Sequence, residues 1–290
     1  MANQYKREIG SILLFGARGL VGSALMEILA DRDVYGLNQE ECDLTRPDQV
    51  RAVLDEFKPD VVINAAGYTD VDGCESNPTM AQALNQEVPG MLAQATRERN
   101  CLLVHLSTDF VFDGNSAQPY REDDPPRPLS IYGRTKLGGE EAVWSKGGEW
   151  LIVRSAWVFG HQGRDFVRTI VKAAREDKEL RVVNDQIGSP TYTLDLSDGL
   201  LRLIETGARG RVHVVNCGQT TWFNLARQAL DMVGMGTKVI EPISSKELAR
   251  PAVRPAYSAL DTSRFTELTG HRPRSWKEAL RAALEREGLV

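Results

Sequence analysis

Apolar positions along the chain fall in short unbroken runs separated by stretches of helical spacing. Ser11 to Phe15 (SILLF) is one such run, ending at a glycine cluster. Leu20 to Leu29 then continues with Val21, Leu25, Ile28 and Leu29 spaced along one helix face. A strand, a tight turn and a helix are predicted. The pattern recurs with VYGL at 34–37 as a second strand, Pro47 to Phe57 as a helix with Thr45 as its N-cap, and DVVINAA as a buried strand. A further helix is expected over 80–99 and a strand at LLVHLS, 102–107. Strands alternating with helices of this length form parallel β-α-β units, and uninterrupted apolar strands belong to a sheet covered on both faces.

Beyond this point the pattern loosens. Residues 113–130, DGNSAQPYREDDPPRPLS, form a loop rich in Pro, Asp and Gly, and a loop of that length is expected to carry function. A helix over 131–145, a strand WLIVRSA and a helix over 165–176 follow. The last third offers DQIGSPTYT, a helix near 194–206, a strand VHVVN, helices near 222–233 and 275–287, and a proline-containing stretch at 251–255, and as a whole it is expected to cap the crevice. Neither an internal repeat nor a low-complexity tract is present.

Composition narrows the classes. The 290 residues are 42% hydrophobic and 26% charged, ordinary for a globular chain with one large or two modest domains. The net charge of -5 argues against a general nucleic-acid binder, whose affinity comes from cations neutralising phosphates. Cys42, Cys74, Cys101 and Cys217 lie far apart without a C-x-x-C or paired histidines, so reduced thiols are expected, with neither a zinc site nor a disulfide framework. The polar opening MANQYKREIG and the short run Ile12 to Phe15 fit neither a secretory leader nor a membrane span, which makes the cytoplasm the expected location.

Three features carry chemistry. Gly16, Gly19 and Gly22 form G-A-R-G-L-V-G between the first strand and a helix opened by Leu20 and Val21. Glycines there let the backbone turn tightly and approach a pyrophosphate at the helix N-terminus, although three glycines alone can also be a bare turn. Tyr132 and Lys136 are four apart on a helix, on one face and about 6 Å apart along its axis. An ammonium beside a phenol favours phenolate and tunes a group whose ordinary pKa of about 10 suits acid-base work poorly. Ser107-Thr108-Asp109 ends the fourth long strand, at the edge where open α/β sheets bind ligands. Thr108 is assigned to hold a substrate carbonyl, ahead of Ser107, with turn capping as the alternative for these residues. Together these features predict an α/β fold: a doubly wound parallel Rossmann sheet with a smaller C-terminal substrate-binding region. The dinucleotide-binding part is expected to span 1–160 with parts of 188–220 returning to it, leaving 161–290 mostly for substrate.

Cofactor choice normally rests on the end of the second strand, where an acidic residue selects NAD by bonding the ribose 2′-OH and repelling a 2′-phosphate. Here Gly36-Leu37-Asn38 is followed by Glu40 and Glu41. Asn38 accepts a hydroxyl without repelling a phosphate, and Arg18 in the glycine turn either reads that phosphate or is a solvated turn residue. The expectation is NADPH, modestly preferred, with NADH also used.

The segments GARGLVG, INAAGYTDVDGCE, LSTDFVFDG, PLSIYGRTKLGGE, VRSAWVFG and NDQIGSPTYT resemble, in order, those of the dTDP-4-dehydrorhamnose reductases, a family of extended short-chain dehydrogenase/reductases. The resemblance covers about 1–200 and is more diffuse afterwards. It implies reduction of the C4 ketone of dTDP-4-dehydro-6-deoxy-L-mannose to dTDP-L-rhamnose, with Thr108, Tyr132 and Lys136 at the catalytic positions. It further implies Trp157 beside the sugar, Val71 and Asp109 on the substrate side, and Asp43-Leu44 and Ala65-Ala66-Gly67 against the cofactor. Trp157 has a second reading as core. Phe110 stands where many members carry Tyr. Ala24 and Leu194 stand where some enterobacterial members carry glutamates linked to magnesium and dimerisation, so no metal is carried over and a weak homodimer is left open. Two competitors remain. One is another nucleotide-sugar reductase, a 4,6-dehydratase or an epimerase, with dehydration disfavoured because Phe110 follows Asp109 where a carboxylate is needed. The other is a non-catalytic regulatory subunit like the β subunit of methionine adenosyltransferase.

Overall fold

The structure, a computed structural model, describes residues 9–160, 163 and 165–290. The polar opening and part of the expected 160/161 boundary lie outside the described residues. The first half runs β1 (Ile12–Phe15), α1 (Leu20–Ile28), β2 (Val34–Leu37), α2 (Pro47–Phe57), β3 (Val61–Asn64), α3 (Val71–Ser76), α4 (Pro78–Gln82), α5 (Val88–Glu98), β4 (Leu102–Thr108), α6 (Ile131–Lys146) and β5 (Trp150–Ser155). The second half continues through β6 (Val158–Phe159), α7 (Phe166–Arg175), β7 (Leu180–Val183), β8 (Ile187–Gly188), β9 (Thr191–Tyr192), α8 (Thr193–Glu205) and β10 (Gly210–His213). It ends with β11 (Thr220–Thr221), α9 (Trp222–Met232), β12 (Ile240–Ile243), α10 (Ser245–Leu248), α11 (Ser263–Thr269) and α12 (Trp276–Arg286).

Side chains on a strand alternate between faces, and β1 shows what that does to a fully apolar run. Ile12 and Leu14 enter one core with Leu25 of α1 and Leu196 and Leu200 of α8. Leu13 and Phe15 enter the opposite core with Leu54 of α2 and Leu92 of α5. Both faces are therefore covered, as the sequence predicts. Each fully buried Leu contributes about 1.5–3 kcal/mol relative to exposure. The six strands lie in the order β2-β1-β3-β4-β5-β10, all parallel. The order reverses at β1, so a crevice opens beyond the carboxyl ends of β1 and β3, the usual ligand position in such sheets.

A third core gathers Phe159, Val167, Ile170, Leu225, Leu230, Trp276 and Leu280. Beside it β12 pairs in parallel with β7, two strands not foreseen from the sequence. Three further expectations are corrected. The helix expected over 80–99 is α4, a π-helical turn at Ala83–Glu87, and α5. The strand expected at VHVVN is β10, which begins two residues earlier and ends at His213, with Val214 N–H making one more bond to the Arg154 carbonyl of β5 at 3.0 Å. The N-cap of α2 is Arg46, because the Thr45 hydroxyl instead donates to Asp43 at 2.7 Å.

Candidate active site

The chain leaves β1 through Gly16, whose φ of 84° lies in the left-handed region that glycine tolerates. A Cβ there would stand 2.8 Å from the Ala66 nitrogen, so the turn passes directly against the end of β3. The Gly16 N–H donates to the Leu37 carbonyl at 2.9 Å, and Gly19 N–H donates to the Gly16 carbonyl at 2.9 Å. Gly19 then caps α1 without a side-chain bond, leaving the first N–H groups of the helix for a ligand. Gly22, also expected at the cofactor, packs against the turn. It does not line the crevice; a Cβ at Gly22 would overlap the Gly16 carbonyl, so this glycine lets α1 close on the turn.

The crevice holds about 960 Å³. Gly16, Arg18, Gly19, Leu20 and Val21 line one end, with Asn38, Asp43 and Leu44 from the loop after β2. Ala65, Ala66 and Gly67 follow β3, and Val71 begins α3. Thr108, Asp109, Tyr132, Lys136 and Trp157 line the same space. Apart from Gly22, every site residue expected from the sequence thus meets in one crevice. Arg18 is half of an exposed pair, its Nη1 3.3 Å from Glu40. Asn38 faces Glu41, to which its side-chain nitrogen donates at 2.5 Å.

Four contributors escaped the sequence. Asn64 Nδ2 donates to buried His105 Nδ1 at 3.2 Å while its Oδ1 accepts from Ala66 N–H at 3.1 Å, which pins the segment after β3. Asn85, in the π-helical turn, accepts from Tyr68 N–H at 2.8 Å and donates to Thr135 of α6 at 3.3 Å. Such turns often sit at functional sites. Trp222 stacks on Trp157 with ring centres 3.7 Å apart and 8° between planes, and both face the crevice. Trp157 itself has a φ of 46°, a strained value held by this packing. Arg254 adds a cation to the lining, fixed by Asp72 at 2.7 and 2.9 Å. The lone Trp222 and Arg254 carry no local motif, whereas the glycine turn and the Tyr/Lys spacing do.

Ser130 opens α6 by accepting from Gly133 N–H at 3.1 Å. The following turns carry half-buried Tyr132 and buried Lys136 inward. Burial pushes the Tyr132 phenol well above its ordinary value; a hydrogen bond with Thr108 pulls it down, and the Asp109 carboxyl adds to the rise. The lowering expected from Lys136 does not operate here, because Lys136 Nζ turns to the Leu106 carbonyl at 2.6 Å. Burial lowers Lys136 to about 8, against the raising influence of Glu140. Asp109 is buried and raised to about 6 by desolvation, while Ser258 and Thr108 hydroxyls donate to it at 2.5 and 3.0 Å. Ser107 is withdrawn from the crevice chemistry by its bond to Glu140 at 2.5 Å. His105 is held neutral, its pKa depressed first by burial and then by Lys136.

A doubly wound parallel sheet, a glycine turn at its switch point and a Tyr/Lys pair facing a Thr define an oxidoreductase of the short-chain dehydrogenase/reductase class. The model of the RmlD substrate binding domain family matches residues 10–288, and the chain belongs to that family. It is 38% identical over 286 residues to a dTDP-4-dehydrorhamnose reductase of Burkholderia thailandensis, covering 93% of this chain and 96% of the relative. It is 41% identical over 276 residues to a probable dTDP-4,6-dihydroxy-2-methyloxan-3-one 4-ketoreductase of Streptomyces antibioticus, covering 93% of each. Among solved structures, a dTDP-4-dehydrorhamnose reductase of Bacillus anthracis in complex with NADP superimposes with a TM-score of 0.92 at 34% identity, covering 96% of this chain and all of that one. No described helix is long and apolar enough to cross a membrane.

Proposed function

We propose that the chain reduces the C4 ketone of dTDP-4-dehydro-6-deoxy-L-mannose to dTDP-L-rhamnose in the cytoplasm, using NADPH with modest preference and NADH as well. The observation that carries this reading is the convergence of Thr108, Tyr132 and Lys136 on the crevice opened by the glycine turn. The turn fits a dinucleotide: a Cβ at Gly16 would fill the space where the backbone passes Ala66, and Gly19 leaves the helix N–H groups free of a side-chain cap. Gly16, Gly19, Leu20 and Val21 would hold the pyrophosphate, with Arg18 and Asn38 at the adenosine ribose. Asp43, Leu44, Ala65, Ala66 and Gly67 line the remaining path.

A reduced nicotinamide supplies the hydride when bound. Thr108, turning its one hydroxyl proton away from Asp109, donates a hydrogen bond to the C4 oxygen and polarises it, and Tyr132 delivers the proton to the developing alkoxide. A phenol held above its ordinary pKa is protonated at neutral pH, the state a donor requires. Lys136 is the local cation, free to leave the Leu106 carbonyl for a ribose hydroxyl or the phenol. Val71, Asp109 and Trp157 flank the sugar, and Arg254 meets its diphosphate. Division into a dinucleotide-binding part, 1–160 with parts of 188–220, and a substrate part elsewhere fits this assignment. A weak homodimer is the assembly to test by sedimentation.

The Streptomyces antibioticus relative favours a second reading, in which the substrate is a different dTDP-4-keto sugar. An assay of dinucleotide oxidation separates the readings. Turnover of dTDP-4-dehydro-6-deoxy-L-mannose well above its UDP and GDP counterparts is expected. Binding without oxidation on any of these ketones would refute the reductase reading in favour of a regulatory subunit.

A further inference from the structure

Outside the crevice lining, between α6, β4, β5 and β10, lies a buried charge cluster centred on Glu140. Glu140 stands one turn after Lys136 on α6 and is wholly buried. Its Oε1 accepts from Ser107 Oγ at 2.5 Å and from Arg154 Nε at 2.8 Å, and its Oε2 accepts from Arg154 Nη2 at 2.7 Å. Arg211 Nε of β10 lies 3.4 Å from the same oxygen. Arg154 on β5 is equally buried, and its Nη1 donates to the Glu122 carbonyl at 3.3 Å.

A buried ion pair is weak evidence for stability, since removing two charges from water costs about what their attraction returns. Its geometry matters more here. Ser107 directly precedes Thr108 on β4, and Glu140 shares the helix with Tyr132 and Lys136. The fork of Arg154 orients the carboxylate in two directions at once, which a single hydrogen bond cannot do. We propose that Glu140, clamped by Arg154 and bonded to Ser107, is a positioning residue that fixes the strand end bearing Thr108 against the helix bearing Tyr132 and Lys136.

This inference rests on the proposed reductase reading. The charge of Glu140 also acts on Lys136, whose other neighbours are neutral His105 and the Leu106 carbonyl of β4 and Tyr132 of its own helix. Burial depresses Lys136 and Glu140 opposes that, so losing the carboxylate moves Lys136 further down. The ammonium is the competent form, and activity is lost as pH rises through its pKa. Without Glu140 that loss begins at lower pH.

The experiment uses Glu140→Gln, Ser107→Ala and the double variant Glu140→Gln with Arg154→Met, which removes the buried Arg154 guanidinium together with the carboxylate that pairs it and leaves only the part-exposed Arg211 without that partner. An ångström of misplacement costs up to about 10²-fold, so kcat is expected to fall about 10- to 100-fold in all three, with KM for the dinucleotide within about threefold. The alkaline limb of kcat/KM for the dinucleotide should move to lower pH in the two Glu140 variants and stay in place in Ser107→Ala. The pH midpoint of Lys136 acetylation by acetic anhydride, read by mass spectrometry, reports the same shift without substrate. A folded double variant with wild-type kcat, limb and midpoint would overturn the inference. Wild type that oxidises no dinucleotide while the midpoint still shifts would instead overturn the reductase reading and leave the placement of Lys136 by Glu140 supported.

Discussion

At the scale of single residues the chemistry rests on how burial treats each titratable group. Tyr132 is raised and Lys136 lowered by the same desolvation, so at neutral pH both remain in their donor forms. Tyr132→Phe removes the proposed proton donor and nothing that a dinucleotide would touch at its phosphates. The expected outcome is a loss of about 10²–10⁴-fold in kcat with dinucleotide binding retained by fluorescence titration; a variant within tenfold of wild type would exclude the phenol. In the proposed reading, cofactor selection is a contest for Arg18. Its pair with Glu40 is exposed on both sides, 72% and 82%, and such pairs contribute only about 0.2–1 kcal/mol. A 2′-phosphate therefore displaces the carboxylate at small cost. Arg18→Ala should lower the ratio of kcat/KM for NADPH over NADH, and Glu40→Gln should raise it by up to roughly fivefold. Equal ratios in wild type and Arg18→Ala would move the discrimination to the loop at 38–41.

At the scale of elements the decisive piece is α6, which must start at a defined residue if Tyr132 and Lys136 are to face the crevice. Two contacts set that start. Ser130 caps Gly133, and Glu75 of α3 accepts from Ile131 N–H at 2.7 Å. Removal of a serine cap costs about 1 kcal/mol, so Ser130→Ala should lower the denaturation midpoint by that equivalent and reduce kcat more than an exposed control such as Ser145→Ala. An unchanged midpoint would show that Glu75 alone anchors the helix. The helix was expected over 131–145 from the i, i+4 placement of Tyr132 and Lys136, although its apolar residues follow no helical stripe. The break at Ala83–Glu87 was not legible, because a π-helical turn depends on Asn85 finding Tyr68 and Thr135 far along the chain.

At the scale of the whole molecule, the segment through Arg254 ties distant parts together. Asp72 takes Arg254, Arg250 and the Ala252 N–H, Ser258 bonds Asp109, and Leu260 pairs with Tyr120 of the long loop. The Arg254 guanidinium holds the Asp72 carboxyl below its usual range. Its stabilising contribution is present at neutral pH and lost as pH falls through that lowered pKa. A charge-assisted bond contributes about 1.5–3 kcal/mol, so Arg254→Ala should raise KM for the dTDP-sugar roughly 10- to 100-fold while kcat changes far less. Unaltered KM would confine Arg254 to a structural tie. Locally encoded features were determined by the sequence itself. The strand runs, the glycine turn, the Tyr132/Lys136 pair and Thr108 at a strand end all follow from periodicity and backbone sterics over a few residues. Only the tertiary structure decided the rest. The pairing of β12 with β7, the stack of Trp222 on Trp157, the capture of Arg254 by Asp72 and the clamp of Arg154 on Glu140 join positions from 14 to 182 residues apart. No local pattern encodes such contacts, because their energy arises only when the sheet has brought both partners out of water.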